Sequence, residues 1–311
     1  MAKILITESV HPIGPELLTA AGHTVVYADR DMDIIRREIV DADAVLVRII
    51  ELPGSLLATA KNLKIVSKHG VGYDNIDLDY CKSHGIAVTI TPNANSLSVA
   101  EHAFTLMLTL AKNIIPVSNE YRTVGFAAKN HAPGIEMTGK TLGLIGMGRI
   151  GKHILHMCRD GLDMHVIVYD PYISEVPEGV EKVDDLSELL RRADVVTLHC
   201  LLTDETRKLI DRERLALMKP TALLINCARG PIVDEAALIE ALENARLAGA
   251  GLDVTDPEPV APDSPLFKLP NVIVTPHYAP TTVESATRVS KIAAENINAV
   301  LAGQEPVGRI V

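Results

Sequence analysis

The chain has 311 residues, 47% hydrophobic and 23% charged, and a formal net charge of −10. That length suits two ordinary domains with sizeable cores, and a composition without low-complexity tracts excludes a disordered or fibrous protein. Forty acidic against thirty basic residues argue against broad binding to nucleic acid or to an anionic membrane surface. No charge-free stretch approaches the roughly 18 residues a membrane helix needs, and MAKILITESV enters a strand pattern without a charged-then-apolar leader. Cys81, Cys158, Cys200 and Cys227 lack CxxC spacing and fall in apolar segments, which points to a reducing compartment; the cytoplasm is the expected location.

In chain order, short β-branched runs (KILITE, HTVVYAD, ADAVLVR, LKIVSKHG, IAVTITP) alternate with helical stretches such as PELLTAAG and NIDLDYCKSHG. This rhythm predicts βαβ units and a parallel sheet. SLSVAEHAFTLMLTLAKN follows, with Ser98 and Glu101 at capping-box spacing, so a helix is expected to start at Ser98. Phe104, Leu106, Met107, Leu108 and Leu110 cover nearly its whole circumference, which requires burial in a core or against another subunit. A second alternation runs through TLGLIGMGRIG, HVIVYD, DVVTLHC, ALLINCA, AGLDV and NVIVTPH, and the chain closes on a helical pattern, VESATRVSKIAAENINAVLAG. The expected fold is α/β with two parallel-sheet domains: residues 1–98 and 284–311 form a smaller, discontinuous substrate-binding domain, and residues 99–283 a dinucleotide-binding one.

Gly146, Gly148 and Gly151 spell G-x-G-x-x-G between a strand and a helix, where amides at the helix N-terminus can meet a pyrophosphate. Asp170 ends the next strand, placed to accept from ribose hydroxyls and to repel a 2′-phosphate, so NAD is expected rather than NADP. A tight structural turn would leave the same trace, and FAD shares the fingerprint. His153 and His156 stand three apart on the following helix without a local carboxylate or cysteine to complete a metal site, so no metal is expected.

Three later strands each lead to a reactive side chain: Arg229 after NCA, Glu258 in DPEP and His277 in VTPH. Singly, these read as a helix-flanking charge, a solvated acid and a satisfied histidine. Jointly they fit oxidation of a 2-hydroxy acid, with Arg229 holding the carboxylate, His277 exchanging the hydroxyl proton and Glu258 orienting the imidazole.

KHGVGYDNID, TPNANSLSVAEHA, GKTLGLIGMGRIG, NCARGPIVDEAAL, AGLDVTDPEP and TPH together resemble the D-isomer-specific 2-hydroxyacid dehydrogenases, and TPNANSLSVAE is most similar to the phosphoglycerate dehydrogenase branch. The resemblance spans essentially the whole chain. It implies two Rossmann-like or flavodoxin-like domains, a homodimer, a small 2-hydroxy or 2-keto acid substrate and a catalytic set of Arg229, Glu258 and His277. It further implies NAD contacts at Val71, Gly146, Gly148, Arg149, Ile150, Gly151, Asp170, Cys200, Cys227, Ala228, Arg229, Asp253 and His277. Substrate contacts are implied at Arg48, Val71, Gly72, Arg229 and His277. Ile49 and Ile50 depart from the small hydroxylated residues of that branch, which leaves phosphoglycerate insecure as the substrate. Lys129 and His131 could meet a distal anion or lie in a solvated loop. An NAD(H)-sensing co-repressor of the same fold is the alternative function.

Overall fold

Twelve short segments, most of them rich in Val, Ile and Leu, become strands, and the structure, a computed structural model describing residues 1–311, divides the chain into two units. Unit 1 comprises Met1–Asn95 with Pro280–Val311, and unit 2 is Ser96–Ala279.

Unit 1 holds β1 (Lys3–Ile6), α1 (Ile13–Ala20), β2 (Thr24–Tyr27), α2 (Met32–Glu38), β3 (Ala44–Val47), α3 (Gly54–Leu57), β4 (Ile65–Lys68), α4 (Leu78–Ser83) and β5 (Ala87–Thr89). The strands form one parallel sheet in the order β2-β1-β3-β4-β5. Strand period sorts the side chains onto two faces. Leu5, Val45, Val47, Val66 and Val88 pack with Ile35, Leu57 and Cys81 on one side. Ile4, Ile6, Leu46 and Ile65 pack on the other with Leu18, Ala293, Ala294 and Ile297. The last three belong to the long C-terminal helix, which returns from the far end of the sequence and is tied in by Ser67 Oγ donating to the Ala293 carbonyl at 3.0 Å. The final residues add an antiparallel contact to β5, with Ile310 N donating to Val88 O at 2.8 Å.

Unit 2 opens with α5 (Ser96–Ala111) and α6 (Ile114–Val124), then runs β6 (Thr141–Ile145), α7 (Arg149–Leu162), β7 (His165–Tyr169), β8 (Val180–Lys182), α8 (Leu186–Arg192) and β9 (Val195–Leu198). It continues through α9 (Arg212–Leu217), β10 (Leu223–Asn226), α10 (Glu235–Glu243), β11 (Gly249–Leu252) and β12 (Val272–Val274); the returning helix of unit 1 is α11 (Val283–Leu301). All seven strands are parallel, in the order β12-β11-β10-β9-β6-β7-β8. The chain moves outward from β6 to β8, then restarts on the other side at β9, so the carboxyl ends of β6 and β9 form a topological switch point. One face packs on α5 and α7 and the other on α8, α9 and α10. Asp31, Asp77, Asp185, Asp211 and Asp234 cap α2, α4, α8, α9 and α10, so part of the acidic surplus serves helix ends.

One local expectation changes, and one strand arises where none was expected. Asn93 sits at φ 64 and α5 begins at Ser96, so Ser98 and Glu101 lie inside the helix rather than forming its capping box. The three-residue edge strand β8 arises in the charged stretch Val180–Lys182, where neither alternation nor β-branched enrichment marks it. Leu106 and Met107 are buried as the α5 pattern requires, while Phe104, Leu108 and Leu110 are partly covered.

Candidate active site

At the switch point the backbone comes too close for any side chain but hydrogen. Gly146 adopts φ +89, and a Cβ there would stand 2.8 Å from Cys200 N and His199 C; one on Gly151 would meet Gly146 O at 2.3 Å. A Cβ on Gly148 would meet nothing within 4 Å. Two glycines thus pull the turn against β9 and α7, and the third leaves open space at the N-terminus of a 14-residue helix. Such a cradle fits a pyrophosphate. Asp170, ending β7, braces it: Oδ2 accepts from Met147 N at 2.9 Å and Oδ1 from Tyr172 N at 3.0 Å. Tyr172 in turn donates its hydroxyl to Glu205 at 2.6 Å, so a second carboxylate stands on this side of the cradle and further disfavours a 2′-phosphate. These residues fit NAD.

Arg149 and Ile150 are the first residues of α7. Cys200, Cys227 and Ala228 follow β9 and β10. Burial pushes the Cys200 thiol up to about 11 and the Cys227 thiol well above the usual range, so neither is a thiolate nucleophile at neutral pH. His199, partly buried with its Nδ1 out of contact with solvent, is held neutral by desolvation, its pKa lowered to about 3.

Arg229, Glu258 and His277 rise from the carboxyl ends of β10, β11 and β12, which are consecutive in the sheet. Parallel strands put all three loops on the edge that carries the glycine turn. Gly230 closes the first gap: its Cβ position is 1.9 Å from the Thr255 carbonyl oxygen, so the loop bearing Arg229 lies directly on the loop that leads to Glu258. The second loop is fastened by Asp256 N donating to Glu235 at 2.9 Å and Thr255 Oγ1 donating to Pro257 O at 2.8 Å. Burial raises the Glu235 pKa above the usual carboxylate value. Glu258 Oε1 then meets His277 Nδ1 at 2.6 Å. Both side chains keep about a third of their surface open, as proton exchange with a bound molecule requires. Arg229 is half-buried, its main chain set by Asn226 Nδ2 donating to Arg229 O at 2.9 Å.

His277 itself has left-handed backbone, φ 53. Asp253 is completely buried and supports that turn: its carbonyl accepts from His277 N at 2.8 Å, and its carboxylate accepts from Tyr278 N at 2.7 Å and Ala279 N at 2.8 Å. The same carboxylate accepts from Thr275 Oγ1 at 2.6 Å.

Unit 1 has its own polar edge. Buried Glu8 accepts from Arg48 N at 2.7 Å and Ile49 N at 2.9 Å. Lys68 Nζ donates to the Arg48 carbonyl and, at 2.6 Å, to Asn75 Oδ1; Asn75 Nδ2 donates to Ile50 O at 2.7 Å. The Arg48 loop is thereby fixed on both its amide and carbonyl sides. Burial and the charges of Arg48 and Lys68 lower the His69 pKa to about 3. Val71 and Gly72 follow in a half-buried loop whose amides make no hydrogen bond within the chain, an arrangement suited to an anion. Glu8 lies outside the segments that carry the family resemblance, and Asn75 lies in KHGVGYDNID with no role assigned to it from sequence. Lys129 lies over the Phe126 ring at 4.1 Å and His131 bonds Glu120, so both are engaged within their own segment. His156 pairs with Asp160 along α7.

A seven-stranded parallel sheet with a glycine cradle at its switch point and a Glu–His pair beside it defines the dinucleotide-dependent oxidoreductase class. Residues 104–279 match the family model described as the D-isomer specific 2-hydroxyacid dehydrogenase NAD binding domain. The chain belongs to that family. It is 42% identical to a D-3-phosphoglycerate dehydrogenase of Methanocaldococcus jannaschii over 98% of this chain and 58% of that protein. It is 38% identical to a glyoxylate reductase of Thermofilum pendens over 98% of this chain and 93% of that one. Among solved structures it is similar to D-lactate dehydrogenase from Aquifex aeolicus complexed with NAD and lactic acid, with a TM-score of 0.88, 32% identity and 96% of each chain covered. The chain spans little more than half the length of the phosphoglycerate dehydrogenases it matches, 58% and 56% for the first two. These relatives favour the enzyme over the sensor reading.

Proposed function

We propose that this chain interconverts a small D-2-hydroxy acid and its 2-keto acid using NAD(H), with 3-phosphoglycerate or a related glycerate-like acid as the candidate substrate. The observation that carries the reading is the 2.6 Å bond between Glu258 and His277 on the sheet edge that also bears Arg229 and the glycine cradle.

Glu258 accepts from Nδ1–H, which leaves Nε2 as the basic nitrogen of His277. During oxidation Nε2 takes the substrate hydroxyl proton, and the adjacent carboxylate stabilises the resulting imidazolium; in reduction the same nitrogen returns the proton to the carbonyl oxygen. Arg229 holds the substrate carboxylate through its planar fork. Bound at the cradle, NAD supplies the acceptor for the hydride. Gly146, Gly148, Arg149, Ile150 and Gly151 would hold its pyrophosphate and Asp170 its ribose, with Val71, Cys200, Cys227, Ala228 and Asp253 as further contacts. Arg48, Val71 and Gly72 of unit 1 would bind the anionic parts of the substrate.

A homodimer belongs to the same proposal. Ile114, Ile115, Tyr121, Val124 and Phe126, between 44% and 73% exposed, give α6 and the turn after it an apolar surface that a second copy would cover. We place the protein in the cytoplasm, acting on small molecules and on neither nucleic acid nor membranes; no helix is long and apolar enough to cross a membrane.

NADH absorbance with a panel of 2-keto acids tests the activity. Consumption with at least one, and weaker use of NADPH, is expected; no consumption with any overturns the reading.

A further inference from the structure

We propose that His102 and Thr275 are positioning residues for proton transfer at His277, acting through the buried carboxylate of Asp253; the inference rests on the functional reading above. His102 comes from α5, and its Nε2 lies 3.0 Å from Thr275 Oγ1 and 3.5 Å from Asp253 Oδ1. Thr275 Oγ1 lies 2.6 Å from that same Oδ1. A hydroxyl has one proton to give, and the carboxylate can only accept. Thr275 therefore donates to Asp253 and accepts from His102, which fixes the His102 proton on Nε2.

The order of donors runs His102 Nε2–H to Thr275 Oγ1–H to Asp253, where the amides of Tyr278 and Ala279 also converge. Three donors thus orient one carboxylate directly and His102 a step further back, and the backbone of the same Asp253 holds the left-handed turn of His277. The His277 amide donates to both the Asp253 carbonyl, at 2.8 Å, and the Thr275 carbonyl, at 3.0 Å, so the flanks of the chain of donors grip the catalytic residue directly. The Tyr278 ring meets the His102 ring edge-on at a centroid distance of 6.1 Å and closes the cluster from outside. The cluster also joins the two ends of unit 2: His102 lies in its first helix, and Ala279 is its last residue. His102 and Thr275 act on His277 through Asp253 and through the backbone. They set the direction in which the imidazole points.

Thr275→Val keeps the shape and removes the hydroxyl; Thr275→Ser restores it. His102→Leu removes the donor; His102→Gln keeps an N–H within reach. In 2-keto acid reduction, Thr275→Val and His102→Leu should lower kcat about ten- to a hundredfold with the NADH KM unchanged, and the Ser and Gln variants should recover most of it. In histidine-selective 15N NMR of the cofactor-free protein, the wild type should show a slowly exchanging proton on His102 Nε2 and one set of His277 signals; Thr275→Val should lose the first and broaden or double the second. Unchanged kcat and unchanged His277 signals in Thr275→Val would overturn the proposal, as would a loss of kcat that serine fails to restore. If the wild type reduces no keto acid, the functional reading falls on its own, and the NMR arm still decides whether Thr275 and His102 order His277.

Discussion

The imidazole of His277 has a single charged neighbour in bonding distance, Glu258 Oε1, and a backbone held by the residue on the adjacent strand end. His277→Ala is expected to lower turnover by about two to four powers of ten while NADH binding, read by fluorescence, stays near wild type, because what is lost is proton transfer. Parallel loss of binding would assign His277 a structural role instead. A different histidine contributes to acid sensitivity. His199 is partly buried and neutral, with its pKa lowered to about 3 by desolvation. The unfolded chain binds a proton there below about pH 6.5 that the folded chain refuses until about pH 3. Its contribution is therefore complete above about 6.5 and falls by about 1.4 kcal/mol per pH unit below that. Urea unfolding of unit 2 at pH 7 and pH 5 should show the wild type losing about 2 kcal/mol more than His199→Gln; equal losses would mean that the ring is solvated. His69 repeats the device in unit 1.

Elements carry the next scale, because the loops after β10 and β11 are seated on each other through Gly230. Replacing Gly230 with Ala puts a methyl within 1.9 Å of the Thr255 oxygen, and neither backbone can yield cheaply. We expect a loss of about 1–3 kcal/mol in stability and a larger proportional loss in kcat than in NADH affinity, measured by thermal unfolding and steady-state kinetics. The strands that bear these loops were legible because buried parallel strands read as unbroken β-branched runs, and reactive residues at their ends stand out against that background. What stayed hidden is mostly pairing between residues remote in sequence. His102 and Thr275 meet across 173 positions of sequence, β8 is too short and charged to announce itself, and Glu8 reaches Arg48 across 40. The S-x-x-E spacing at Ser98 misled because it falls in the body of a helix already begun at Ser96. Asp253 sits in a segment that sequence resemblance ties to the cofactor, and only coordinates reveal that its carboxylate faces Thr275 and two amides.

At the scale of the whole chain, unit 1 is assembled from two remote segments. Ala293, Ala294 and Ile297 are fully buried against β1, β3 and β4, and Asn296 Nδ2 donates to Ile90 O at 3.1 Å. Truncation after Ala279 should leave β1–β5 without protected amides in hydrogen exchange while unit 2 keeps its protection; persistent protection in β1–β5 would refute this dependence. Ile297→Ala, milder, should cost unit 1 about 2–5 kcal/mol. The same arrangement bears on synthesis. Residues of the first sheet leave the ribosome early, but the helix that covers Ile4, Ile6 and Leu46 follows some two hundred codons later, a delay of about 10–40 s at ordinary elongation rates. For that interval one apolar face of the first sheet lacks its cover, the kind of transient exposure that makes a nascent chain prone to aggregate.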